Sequence, residues 1–424
     1  VPSETHEQLT DVLLWVMMGA ALIGAVALVR RREPGVLLFI GTALGVYLVM
    51  QPRLSPYTDA KLMAVLSPAI VLTAAVGLAL VARNRWWTAL PAGLCAAALL
   101  GGILWSDAET YHGTQLAPVE KMLAMEDVAE HYSDSKDLLL VHESEEFAKY
   151  FMRDAPINDH FEPITFRHIE LSGGQGFRGM YFDLDAIVPE YLQEWRLLVL
   201  RKSPAVSRPP ANYEQEYENE YYTVWRRSDE PRKVQHFPIG STLRAADNPD
   251  CGDLRDFVNR AGTGGEVVAA VPPEVVQFVA RDDPDRSSGW HEHPLLESAV
   301  ITTTPGEASG ELDFGGGTYE AWLQGSFGRD MQVYVDGSEI GSVSGVQPPG
   351  QWHHVATVEL DPGEHDVRIE RPGGNLEPGD GYRGAVGPLA FRATSPEHLV
   401  PLTQADAGRL CRRQLDWAEA LDAR

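Results

Sequence analysis

Three groups of residues in this sequence have types and spacing suited to chemistry. The first lies in Gln51-Pro-Arg-Leu-Ser-Pro-Tyr-Thr-Asp-Ala-Lys61, between two long apolar runs. Tyr57, Asp59 and Lys61 stand at the mouth of the later run, with Arg53 upstream. An Asp and a Lys two residues apart at a membrane surface can hold a phosphate or a sugar hydroxyl. They can equally form a self-neutralising interfacial pair, Lys61 extending its ammonium to water. The second group is aromatic: Tyr319, Trp322, Tyr334 and Trp352. Exposed aromatics on β-sandwiches stack on the apolar faces of pyranose rings. Alternation along Thr318–Gln324 puts Tyr319 on one face with Ala321 and Leu323, and Glu320 with Trp322 on the other. Trp322 is then either a sugar platform or an inter-sheet core residue. The third group is His and Cys. Trp290-His-Glu-His293 offers two nitrogens to a metal, and His353-His354 forms a second pair. Neither has a Cys or further carboxylates at ligand spacing, so no metal site is assigned. The many acidic loop residues leave room for a structural calcium ion without placing it. Cys251 and Cys411 either form a disulfide, if their part of the chain is outside the cytoplasm, or remain buried thiols. Cys95 reads as a small core residue in an apolar run. There is no nucleophile elbow, Walker loop or zincin motif.

The elements that must position these groups fall into two halves. Among the 424 residues, 1–105 hold seven basic and five acidic side chains, whereas 106–424 hold 28 and 55. A lipid-compatible part therefore precedes a strongly acidic one, whose surface repels nucleic acid. Val12–Val29, Val36–Met50, Leu62–Ala82 and Trp86–Trp105 contain no charge and predict four transmembrane helices within 1–105, the second being the shortest. Trp86, Trp87 and Trp105 mark run ends, as an interfacial belt does. Arg30, Arg31 and Arg32, with Arg83 and Arg85, outweigh Arg53 and Lys61. The Arg-rich loops are expected in the cytoplasm, and everything after Trp105 outside it. Ser67-Pro68 predicts a kink or a locally opened helix. The chain enters its first apolar run from Val1 without the basic region or cleavage site of a signal peptide, so we expect it to be the C-terminal portion of a longer membrane protein.

Residues 106–230 read as a small three-layer α/β unit. Helices are expected over Val119–Tyr132 and Ser144–Met152, with strands at Asp137–Val141, Arg196–Arg201 and Tyr221–Arg227. The Gly-rich 172–177 reads as a loop. Residues 231–424 read as a jelly-roll-like β-sandwich with connecting and terminal segments. Strands are expected at Thr318–Gln324, Met331–Val335, Trp352–Leu360 and His365–Ile369, with a hairpin turn at Asp336-Gly337 and another turn at 361–363. Helices are expected at Asp253–Ala261 and Ala405–Ala423.

Several phrases resemble a family. Tyr57-Thr-Asp-Ala-Lys-Leu-Met-Ala-Val-Leu-Ser-Pro68 resembles the late spans of bacterial multi-spanning GT-C-type glycosyltransferases. Glu145–Phe151, Leu198–Pro204 through Ser207-Arg-Pro-Pro210, and Tyr221–Arg227 look like the extracytoplasmic domain that follows in such proteins. Trp322–Gly328, Val333–Gly337 and Arg371–Gly374 are similar to their C-terminal carbohydrate-binding-module-like domains. The resemblance implies sugar transfer from a polyprenyl-phosphate donor to an envelope glycan at the outer side of the membrane. Arg53, Tyr57, Asp59 and Lys61 would then help hold the donor, with or without a divalent cation such as Mg or Mn. The family's usual catalytic carboxylate sits in an early external loop. This chain has none, so no catalytic residue is assigned. The alternative is a non-catalytic, membrane-anchored protein whose outer domains bind glycan.

Overall fold

The computed structural model describes residues 4–50, 56–113, 118–135, 137–141, 148–155, 157–159, 171–172, 183–228, 231–240, 246–261, 265–294, 296, 298–345, 350–373 and 384–422. The first of two compact units carries helices α1 (Glu4–Arg31), α2 (Pro34–Met50), α3 (Pro56–Asn84) and α4 (Trp86–Gly113). Leu9–Arg31, Lys61–Arg83 and Trp86–Ala108, 23 residues each, are long and apolar enough to cross a bilayer. α2 is apolar but has only 17 residues, so three of the four expected crossings reach full span length.

Tyr57, Asp59 and Lys61 belong to the first two turns of α3, where a loop was expected, because Pro56 supplies the fixed φ of a first helical position. Pro68 does not divide α3 either. It has no N–H for the Ala64 carbonyl, and Ser67 Oγ donates to that carbonyl instead, at 3.2 Å. α1 and α3 meet at Gly24 and Gly77. A Cβ on Gly24 would strike the Thr73 carbonyl, and one on Gly77 the Ala20 carbonyl.

The second unit opens with a three-layer α/β part. Its chain order is α5 (Val119–His131), β1 (Leu138–Val141), α6 (Ala148–Phe151), β2 (Ile157–Asp159), α7 (Pro189–Gln193), β3 (Leu197–Arg201), β4 (Tyr213–Glu218) and β5 (Tyr222–Arg227). The sheet order is β2-β1-β3-β5-β4, with β1 parallel to β2 and β3 and the rest antiparallel. β1 and β3 are buried at every position, which explains their unbroken apolar sequence. Leu138, Leu140, Leu197 and Val199 face Met125, Val128 and Met152; Leu139, Val141, Leu198 and Leu200 face Leu184, Ile187 and Leu192. The expected helix start at Ser144 and most of 172–177 lie outside the described residues.

Next come β6 (Val234–Pro238), α8 (Cys251–Ala261) and β7 (Gly265–Val271). They are followed by β8 (Val275–Phe278), β9 (Trp290–Glu292), β10 (Val300–Thr302), β11 (Gly306–Phe314), β12 (Gly317–Val335), β13 (Ser338–Gly345), β14 (Trp352–Leu360), β15 (Gly363–Arg371) and β16 (Gly384–Ala393). β17 (His398–Pro401), α9 (Gln404–Leu410) and β18 (Trp417–Asp422) close the chain. β8 to β16 form an antiparallel β-sandwich. The two strands expected at Thr318–Gln324 and Met331–Val335 are one strand, β12, that changes sheets. Its first half pairs with β14 and β16, its second half with β13 and β15. Gly325 permits the change: a Cβ there would strike the Ala385 carbonyl and the Phe327 ring. Asp336 and Gly337, at φ 50° and 75°, make the tight hairpin to β13 that the Asp-Gly pair predicts.

The strands flanking the sandwich form a sheet of their own, in the order β17-β7-β18-β6. Phe257, Leu254, Leu410 and Leu415 cover one face of it. The helix expected over Ala405–Ala423 stops at Leu410, and Trp417-Ala-Glu-Ala-Leu-Asp is the central strand β18, paired on both edges. Ala, Glu and Leu favour helix locally, but two rows of interstrand hydrogen bonds outweigh a few tenths of a kcal/mol per residue. Cys251 and Cys411, on α8 and after α9, are joined in a disulfide, Cα atoms 5.1 Å apart.

Candidate functional site

The segment after β3, Lys202–Pro210, runs between the α/β sheet, the sandwich and the four-stranded sheet. Pro204, Pro209 and Pro210 prevent regular pairing there, so its amides need other acceptors. Buried carboxylates supply them. Ser207 N donates to Asp183 Oδ1 at 3.0 Å, Arg208 N to Asp416 Oδ2 at 2.7 Å, and Ala211 N to Glu419 Oε2 at 2.7 Å. Ser207 Oγ donates to Asp183 Oδ2 at 2.6 Å, and Trp417 Nε1 to the Arg208 carbonyl at 2.8 Å.

The Arg208 guanidinium hydrogen-bonds the Tyr213 carbonyl, lies 3.4 Å from Glu397 Oε1 and sits 5.1 Å over the Trp225 ring. His236 places Nδ1 2.9 Å from Glu419 Oε1; its Nε2 is 3.3 Å from Asp185 Oδ1, outside hydrogen-bond angle. Burial alone would lower the imidazole, but the close carboxylate of Asp185, and the hydrogen bond and charge of Glu419, outweigh it and push His236 to about 10. Burial, then the charge of Asp185, holds Asp183 and Asp416 well above the carboxylate range. Burial also pushes Glu397 to about 7, against the pull of Arg208 and Arg392.

Above this ionic floor lies a cleft of about 610 Å³. Glu214, Glu218, Lys202 and Trp225 line the α/β side, and Glu320, Trp322 and Arg392 the sandwich side. Lys202 pairs with Glu218, and Arg392 Nη2 lies 3.8 Å from Glu397 Oε2. Glu320 is cross-strand neighbour to Arg392.

The alternation expected in Thr318–Gln324 holds: Tyr319, Ala321 and Leu323 join the sandwich core, while Trp322 faces outward with Trp352, Ala390 and Ala205. The exposed platform does not follow from it. Tyr319 and Trp352 are buried, at 1% and 2% exposure, so neither can stack on a sugar. Tyr319 donates its hydroxyl to Glu274, and Trp352 lies under the segment that carries Arg201 and Ala205. Trp322 keeps 6% of its surface, at the cleft wall. Tyr334, on the other half of β12, is half-buried under the Arg368 guanidinium, 3.9 Å from its ring centre.

Arg53 lies outside the described residues, and so do the side chains of Tyr57 and Asp59; Lys61 is exposed on α3. His293 Nδ1 accepts from Leu296 N, while His353 Nε2 meets the Gly325 carbonyl and burial lowers it to about 3. Among the described residues no three His, Cys, Asp or Glu side chains are placed to hold a metal ion.

Sequence reasoning did not single out Lys202, Arg208, Trp225, Arg392 or Glu397. The available signal was Ser207-Arg-Pro-Pro210, a charged residue fixed among prolines. No protein-family model and no curated protein matches the chain. Solved structures similar to part of it include the CBM36-1 domain of a multidomain xylanase from the hindgut metagenome of Trinervitermes trinervoides, at 14% identity and TM-score 0.24, covering 29% of this chain and 98% of that one. The carbohydrate-binding module CBM36 in complex with calcium and xylotriose matches at 12% and 0.23, covering 27% and 98%. The Podospora anserina GH26-CBM35 β-(1,4)-mannanase matches at 12% and 0.23, covering 29% of this chain and only 28% of that one.

Proposed function

We propose that this chain is a membrane-anchored, extracytoplasmic glycan-binding protein and that the cleft between the α/β sheet and the sandwich holds the glycan. The carrying observation is the lining of that cleft. Trp225 and Trp322 share about 610 Å³ with Glu214, Glu320, Lys202 and Arg392, a volume suited to a saccharide. The half-buried Trp225 ring takes the C–H side of a pyranose, Trp322 closing the opposite wall, and carboxylates and cations take its hydroxyls. α1 to α4 supply the anchor, the shorter α2 crossing between α1 and α3 so that the Arg-rich ends Arg30–Arg31 and Arg83 both lie in the cytoplasm and the chain after α4 lies outside. The full chain in lipid nanodiscs, applied to a glycan array, tests this. Saturable binding is expected, weakened at least tenfold by Trp225→Ala with the melting temperature of the fold retained. Absence of binding at millimolar glycan, or equal binding by Trp225→Ala, overturns it.

A second reading is the C-terminal part of a polyprenyl-phosphate-dependent glycosyltransferase. It is favoured by the helical start at Pro56, which puts Tyr57 and Lys61 on one helix face four residues apart. In that reading Tyr57, Asp59, Lys61 and Arg53 hold the donor phosphate, with or without a divalent cation. Asp59→Asn in the full-length protein should then abolish glycan transfer; unchanged transfer removes it from the site.

A further inference from the structure

The junction beneath the cleft contains more acids than cations. The 3₁₀ turn at Leu184–Ala186 and its cap contribute Asp183 and Asp185, the approach to β18 and β18 itself contribute Asp416 and Glu419, and the loop after β16 contributes Glu397. Facing these five are Arg208 from the proline-rich segment, His236 from β6 and, at the cleft edge, Arg392 from β16. Glu214 of β4 adds its charge to the field at Arg208. Asp416, Glu419 and Asp183 are 0%, 0% and 3% exposed, so a surplus negative charge there cannot be relieved by water. Asp185 Oδ2 and Asp416 Oδ1 are buried without a hydrogen-bond partner, so a negative charge on either carboxyl would lie unsolvated. Arg208 and Glu397 belong to both the junction and the cleft lining.

We propose that protons held among these carboxyls make the junction, and with it the cleft, a pH-controlled clamp that is closed in mildly acidic surroundings and loosens as the medium turns alkaline. This rests on the ligand reading only for its consequence at the cleft. A carboxyl raised in the folded state binds more protons folded than unfolded, so its stabilisation is complete below its ordinary value and lost on passing the raised one. For Glu397 that loss runs from 4.5 to about 7. For His236, raised from 6.5 to about 10, the stabilisation is complete below 6.5 and lost on the way to 10. Asp183 and Asp416 act in the same sense, so the contributions add instead of cancelling.

Thermal unfolding of the full chain in nanodiscs, followed by tryptophan emission from pH 5.5 to 8.5, tests the clamp. The midpoint should fall by about 5 °C or more across that range. Glu397→Gln, which keeps a neutral side chain at every pH, should flatten the fall; Asp416→Asn, whose amide oxygen still accepts from Arg208 N, should do the same. A level or rising midpoint in the wild type, or unaltered slopes in both variants, overturns the clamp. Glycan affinity measured in the same series separates the two ideas. A falling midpoint without any glycan binding keeps the clamp and sinks the ligand reading. Glycan binding with a level midpoint does the reverse.

Discussion

The α1–α3 crossing and the junction beneath the cleft hold pieces of chain together by opposite means. In the helical unit, Gly24 and Gly77 bring two backbones into contact. Lipid tails are as apolar as leucine, so nothing drives helices together except close packing, and small residues supply it. In the water-facing unit, buried carboxylates reach across from β18 and the Asp183 turn to an irregular, proline-rich segment whose amides have no strand to pair with. Hydrophobic burial is available there, yet geometry is fixed by charge. The difference teaches that small residues at a contact mean adhesion in lipid, whereas buried charges at a contact in water set orientation at a cost of desolvation.

Breaking each region separately sharpens this contrast. The largest effect is expected for Asp416→Ala, which leaves Arg208 N without its acceptor and a cavity where the buried carboxyl stood. A loss of about 3–5 kcal/mol in denaturant unfolding is expected; under about 1 kcal/mol would make the junction incidental. Reduction of Cys251–Cys411, which closes a span of 160 residues, should cost about 2–4 kcal/mol in the same assay. Because α8 and α9 pack on the four-stranded sheet, the loss should register in that part and leave the helices of the membrane unit intact. Gly77→Leu should cost about 1–3 kcal/mol through steric conflict with the Ala20 carbonyl, read as lost proximity of cysteine pairs placed on α1 and α3. An unchanged crosslinking yield would contradict the backbone contact. The smallest effect belongs to Gly337→Ala. No atom lies within 4 Å of the added methyl, so only its φ of 75° matters, and about 1 kcal/mol is expected.

Legibility in the sequence tracked how local each cause is. The charge-free runs marked α1, α3 and α4, because a helix able to cross a bilayer is apolar at nearly every position. The apolar Leu138–Val141 and Leu197–Arg201 marked strands buried on both faces. Asp336-Gly337 marked its turn because two consecutive positive φ values suit few residues. Two-residue alternation separated Tyr319 from Trp322 correctly, but could not say that the outer face bearing Trp322 is itself covered by Ala205. Trp417–Asp422 reads as helix until β6 and β7 are placed on either side of it. Of the cleft, the sequence singled out Trp322 and its neighbour Glu320 and offered the unread signal Ser207-Arg-Pro-Pro210, while its other walls come from segments near 202, 225 and 392.

What the sequence by itself determined is which stretches lipid tolerates, which strands are buried and where the tight hairpin turns, because each follows from neighbours within a few residues. The tertiary structure alone decided that β12 serves two sheets, that the last segment is a strand, and that Asp183, Arg208, His236, Glu397 and Asp416 share one interior. Those outcomes depend on groups up to about two hundred residues apart in the chain, such as Arg208 and Asp416 at a separation of 208. A charge's partner at that distance is set by how the layers pack, which no local pattern encodes.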